Sequence, residues 1–146
     1  AKLEDNYSDY GVLYNWYAVD QASICPTGWH VPTDAELTTL TRAVISDPSC
    51  DPNTGCSPAG TYLKVSSTNP ISWDGTNTSG FTALPAGGRK DDGVFIYLGD
   101  YALFWSSSES LPGGSWFRYL KSGLSEVGRY DVYQAGGFSA RCLRTD

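Results

Sequence analysis

CPTGWHVPTDAELTTLTRAVI, residues 25–45, holds the strongest local signal in the chain. Thr33 followed three residues later by Glu36 is a capping box, in which each side chain satisfies a backbone N–H at the start of a helix. Asp34 adds a negative charge in the first turn, where the helix dipole is positive. Leu37, Leu40 and Val44 then fall at helical spacing, and Pro48 stops the run. This spacing predicts one clear helix over residues 33–46.

Outward from that helix the patterning changes. From residue 81 onward, short apolar runs alternate with glycine-containing turns: FTALPAGGRK, GVFIYLG, YALFWSSSE, SWFRYLK, SEVGRYDVY and GFSARCLR. These read as consecutive short antiparallel strands. Upstream, YGVLYNWYAV (10–19) is rich in aromatic and β-branched residues and reads as a strand or buried extended segment. Between helix and strands, residues 46–80 are rich in Ser, Thr, Asn, Pro and Gly. Tyr62, Leu63, Val65, Ile71, Trp73 and Phe81 anchor that stretch, so it reads as a long structured loop region. The class is α+β.

The chain has 146 residues, 40% of them hydrophobic, which sets the expectation of a single domain over 1–146 with its own core. No window approaches the roughly 18–20 consecutive apolar residues that a membrane span needs. The start, AKLEDNYSDYG, lacks a signal-peptide pattern, and with no Met anywhere the expectation is a processed or excised piece. A net charge of −6 with scattered Lys and Arg argues against a nucleic-acid surface. The chain carries 16 Gly, 8 Pro and 14% aromatics against 18% charged residues, a balance that describes a loop-rich fold. Its aromatics serve either a core or a binding surface.

Cys25, Cys50, Cys56 and Cys142 form an even set with no CxxC spacing, and the chain has one His, so a zinc site is not expected. Four cysteines allow three pairings. The expected one closes the polar loop SCDPNTGC with Cys50–Cys56 and ties the first third of the chain to its last strand with Cys25–Cys142. Two disulfides imply an oxidising compartment such as the cell surface or periplasm. The longer closure stabilises by about 4 kcal/mol on the loop-entropy account.

YGVLYNWYAV (10–19), CPTGWHVPTDAEL (25–37), GFTALPAGGRK (80–90), FWSSSE (104–109), WFRYL (116–120) and GFSARCLR (137–144) together resemble the Fibrobacter succinogenes major paralogous domain family, in the family's order and over nearly the whole chain. The resemblance implies a C-type-lectin-like fold and a surface or secreted bacterial protein. More distantly, VPTDAEL is similar to the RLPTEAEW helix start of formylglycine-generating enzymes, and GFSARC to their terminal GFR strand. The cysteines that those enzymes use for copper do not map onto this chain, so that likeness covers scaffold and not site. The family also has an upstream section, with a DxDGNxY-like strand and a TWMAENL-like segment, expected before residue 1. Its lack implies an edge completed by another piece or by a partner strand, because unpaired edges invite pairing.

A Ser-His-Asp triad would have to use His30, which belongs to the WHVPTDAE block, and no GxSxG elbow exists. The EPN or QPD tripeptide and WND of calcium-dependent lectins are missing, so no sugar held directly on calcium is expected. Asp91-Asp92-Gly93 and Trp73-Asp74-Gly75-Thr76-Asn77 offer oxygen ligands for calcium, although both also read as ordinary turns. FWSSSE and WFRYL pair aromatic rings with polar groups, the combination that sugar recognition uses. By alternation Trp116, Arg118 and Leu120 share one face and Phe117 and Tyr119 the other. Tyr97, Tyr101, Trp105, Trp116, Arg118, Tyr130 and Tyr133 form the pool of expected ligand contacts. Arg141 is expected to pair with Glu36 or Glu109.

These features point to a non-catalytic extracellular recognition or adhesion module for polysaccharide or another surface ligand, with no cofactor expected and calcium as the alternative. The alternative is a structural subunit or displayed domain of a surface filament or pilus. An enzyme ranks third, because no paired acid and base, metal cluster or phosphate loop stands out.

Overall fold

The computed structural model describes residues 3–21 and 24–145. The predicted helix is present as α3 (Asp34–Ile45). Thr33 caps it: the Glu36 N–H donates to Thr33 Oγ1 at 3.2 Å, and the Thr33 N–H donates to Glu36 Oε2 at 2.8 Å. The helix ends with Ser46 in the left-handed region, two residues before Pro48. Leu37 and Thr41 are buried, and Leu40, Val44 and Ile45 pack beside them.

That face lies against a three-stranded antiparallel meander of β5 (Tyr101–Glu109), β6 (Gly114–Lys121) and β7 (Gly128–Tyr133). Residues paired across such a ladder project to the same side. Ala102 pairs with Leu120, Phe104 with Arg118 and then Arg129, and Trp116 with Asp131, all on the α3 side. Leu103 pairs with Tyr119 and Gly128, and Trp105 with Phe117 and Tyr130, on the other. Both sides are covered. One core gathers Leu63, Val65, Trp73, Phe104 and Leu120 under α3. The second gathers Trp16, Val19, Leu103, Trp105 and Phe138. Each such fully buried side chain contributes about 1.5–3 kcal/mol relative to exposure.

The extended segment expected over 10–19 is instead two strand residues, β1 (Tyr14–Asn15), followed by a one-turn helix, α2 (Trp16–Asp20). Asn15 decides this, because its side chain accepts the Ala18 N–H at 3.0 Å and caps the turn. Trp16 and Val19, three apart, then enter the same core. An eight-residue helix, α1 (Leu3–Tyr10), precedes this segment.

The other expected strands contract to pairs, β3 (Gly88–Arg89), β4 (Phe95–Ile96), β8 (Gly137–Phe138) and β9 (Leu143–Arg144), and a pair outside the expected strands, β2 (Trp29–His30), forms just before α3. They form a sheet ordered β1-β8-β3-β4 and a separate β2-β9 pair. Positive φ at Tyr97 and at Gly99 breaks the GVFIYLG run after Ile96.

Within 46–80 one helical turn forms, α4 (Ala59–Leu63). Beyond it Lys64 is 1% exposed, yet its ammonium is satisfied. It donates to the Lys121 and Leu124 carbonyls at 3.1 and 2.9 Å and pairs with Asp74 at 2.7 Å. A polar stretch thus acquires an ordered path around one buried cation.

Disulfides join Cys25 to Cys142 and Cys50 to Cys56. The architecture is mixed α and β, with mostly antiparallel strands, few helices and two disulfides. No helix among the described residues is long and apolar enough to cross a membrane. Arg141 departs from expectation. Its guanidinium lies over the Phe81 ring at 4.6 Å, because Glu36 is engaged by His30 at 3.0 Å and Glu109 by Gln134 at 3.0 Å.

Candidate functional site

Asp34, in the first turn of α3, is the anchor around which a surface groove is built. Arg118 donates to its Oδ1 at 2.6 Å and to its backbone oxygen at 2.9 Å. Arg129 bonds both carboxylate oxygens at 2.9–3.1 Å and reaches Asn53 Oδ1 at 2.8 Å. Burial opposes ionisation of Asp34, but the hydrogen bonds from Arg129 and Arg118, and their charges, outweigh it and hold the carboxyl below its usual range. With its fork thus fixed, the Arg129 guanidinium lies over the Trp116 ring, its Cζ 3.5 Å from the ring centre.

Along the free edge of β7 a groove of about 550 Å³ runs past Trp116, Tyr119, Tyr130 and Asp131. Its far wall is the 52–55 loop, closed by Cys50–Cys56. Tyr119 reaches the groove only because residue 128 is glycine: a Cβ there would come within 2.0 Å of the Tyr119 ring. Tyr130 is 65% exposed, so its ring is open to solvent. Polar groups at fixed positions surround these rings. Asn53 is held by Arg129 and Asp51, and Asp131 Oδ2 accepts from Ser110 at 3.0 Å. Glu126 completes the lining.

Of the seven expected contact residues, Trp116 and Tyr130 line this groove. Tyr101 connects to it through Tyr119, ring centroids 6.1 Å apart, and Tyr97 stacks on Tyr101 at 4.6 Å. Tyr133 stands exposed at the end of β7. The other two are buried and lie outside this groove. Trp105 is 1% exposed, donates to the Tyr14 carbonyl at 2.8 Å and packs on Phe138, away from the β7 groove. Arg118 is 4% exposed, its two terminal nitrogens held by Asp34 and Thr38, and it does not line this groove. Alternation sorts residues into faces but cannot tell that both faces of a sheet are covered. Asn53, Tyr119, Glu126, Arg129 and Asp131 were outside the expected pool. Only the glycine at 128 hinted that a large neighbour crosses β7.

The segments considered for calcium are engaged by protein groups. Asp92 Oδ1 accepts the Val94 N–H in a turn with Gly93 at positive φ, and Asp74 takes Lys64 and the Gly123 N–H. No group of three or more His, Cys, Asp or Glu side chains able to hold a metal ion comes together among the described residues. His30 bridges Glu36 and Thr145, tying the β2-β9 pair to α3.

Comparison with curated proteins and with solved structures returns no match. A family model described as the Fibrobacter succinogenes major domain matches residues 1–144. The groove, its Asp34 anchor and both disulfides all lie within that match, and the chain belongs to the Fibrobacter succinogenes major domain family.

Proposed function

We propose that this domain is a non-catalytic extracellular recognition module that binds polysaccharide in the groove along β7. One observation carries this reading. An exposed tyrosine face and two further rings lie beside amide, carboxylate and guanidinium groups that are already held by hydrogen bonds within the protein. Sugars present apolar C–H faces and rings of hydroxyls, and a groove with rigid aromatic and polar groups meets both at low ordering cost. A volume of about 550 Å³ is within the range of small-ligand sites. Two disulfides support an oxidising, extracellular setting, and the sequence blocks support assignment of the fold to the C-type-lectin-like group.

The test is retention on insoluble polysaccharides and a glycan array, comparing the native chain with Tyr130→Ala. Tyr130 is exposed, so its removal leaves the fold intact. The expected result is binding weakened about tenfold or more by loss of one stacking ring. Equal retention of both chains on the same glycan would defeat the proposal.

A second reading, as a subunit of a surface filament, is favoured by a different feature. Tyr7, Val12, Phe95 and Leu98 are exposed beside one another around a groove between α1 and β4. Light scattering of native material decides it: concentration-dependent growth in mass supports assembly, whereas constant monomer mass opposes it.

A further inference from the structure

A second cavity, of about 320 Å³, lies between α3 and the meander and shares no residue with the β7 groove. Its inner wall is apolar, with Leu37, Leu63, Phe104, Leu120 and Val127. The cavity opens to the surface on one side, and its lining is mostly apolar. Two polar features mark it. At the mouth, Arg141 is exposed and lies over Phe81, with no ion-pair partner among the described residues. In the wall stands Arg118, 4% exposed, whose Nε is the one buried side-chain polar atom without a hydrogen-bond partner among the described residues.

We propose that this cavity binds a small apolar carboxylate, its body against the leucines and its carboxylate on Arg141. A guanidinium presents a planar fork that a carboxylate meets with two parallel hydrogen bonds. Glu36 also lines the cavity, and its carboxylate, committed to His30 and Thr33, leaves Arg141 unneutralised while disfavouring a dianion. A singly charged head therefore fits better than a phosphate. Arg118 Nε gives an inner donor to any acceptor oxygen carried on the body.

The experiment is titration of the disulfide-intact chain with octanoate, octan-1-ol, octyl phosphate and acetate, followed by amide NMR and calorimetry. Octanoate is expected to shift resonances at Leu40, Phe81 and Arg141, with octanol weaker and acetate without effect. Arg141→Gln is expected to weaken octanoate about tenfold while leaving octanol unchanged. Tyr130→Ala is expected to leave octanoate binding as it is, which separates this site from the glycan groove. Failure of octanoate to bind, or equal binding to the Arg141→Gln chain, overturns the proposal. Tighter binding of octyl phosphate than of octanoate overturns the carboxylate assignment.

Discussion

Asp34 stands between two guanidinium groups, one of them almost fully buried, and that makes it the residue on which the β7 side of the fold depends most. Removing one partner of a buried ion pair leaves a charge without compensation, and Asp34→Ala is predicted to cost about 3 kcal/mol or more. A urea midpoint measures it. Lys64→Met keeps the bulk and removes the ammonium from two carbonyls and Asp74, with a predicted loss of about 2–3 kcal/mol in the same assay. The carboxyls of Asp34 and Asp74 both sit below their ordinary value of 3.8 when folded. A depressed folded pKa gives stability that is full above the unfolded value and is lost as pH falls from there through the lower folded value. Thermal midpoints are therefore expected to drop as pH falls below about 4, and Asp34→Ala to flatten that drop; parallel profiles would contradict it. At this scale the Thr33–Glu36 box was legible, because its partners are three residues apart. Arg129 meeting Asp34 and Asn53 was not, because the three lie on separate elements joined only by the fold.

Among the elements, α3 was readable since capping, charge and apolar period agree within one segment. Thr33→Ala is predicted to cost about 1 kcal/mol by removing the cap, read as a shift in thermal midpoint. The 10–19 segment misled because aromatic and β-branched residues serve a buried helical turn as well as a strand once Asn15 caps it. The meander strands were visible through their runs and turns. The two-residue strands were not, because backbone geometry at Tyr97 and, for β1, β2, β8 and β9, pairing to distant partners set their lengths. Gly60 links α4 to the β6–β7 connection: its N–H donates to the Ser125 carbonyl at 2.8 Å, and a Cβ there would come within 2.3 Å of the Glu126 carbonyl oxygen. Gly60→Ala must move backbone, and a loss of about 1–3 kcal/mol is predicted, measured by denaturant unfolding.

Across the whole molecule the two disulfides do different work. Cys25–Cys142 spans 117 residues, and on the loop-entropy account its removal costs about 4–5 kcal/mol. Cys50–Cys56 spans six and borders the groove. The double variant Cys50→Ala/Cys56→Ala is predicted to lower glycan affinity, through the loosened 52–55 wall, while moving the thermal midpoint less than Cys25→Ala/Cys142→Ala does. Retention assays and calorimetry on the same two variants check the contrast. The overall class and the cysteine pairing were legible from composition and spacing. The groove was not, because it forms where a disulfide loop meets the edge of a sheet some 75 residues further along.

The most direct measurement is amide NMR of the native chain titrated with a soluble oligosaccharide from whichever polysaccharide retains it. Binding at the proposed site predicts saturable shifts at Asn53, Tyr119, Arg129 and Tyr130 and at the Trp116 indole, with Leu40 and Arg141 unmoved. Shifts that saturate elsewhere, leaving those five residues unchanged, would contradict it.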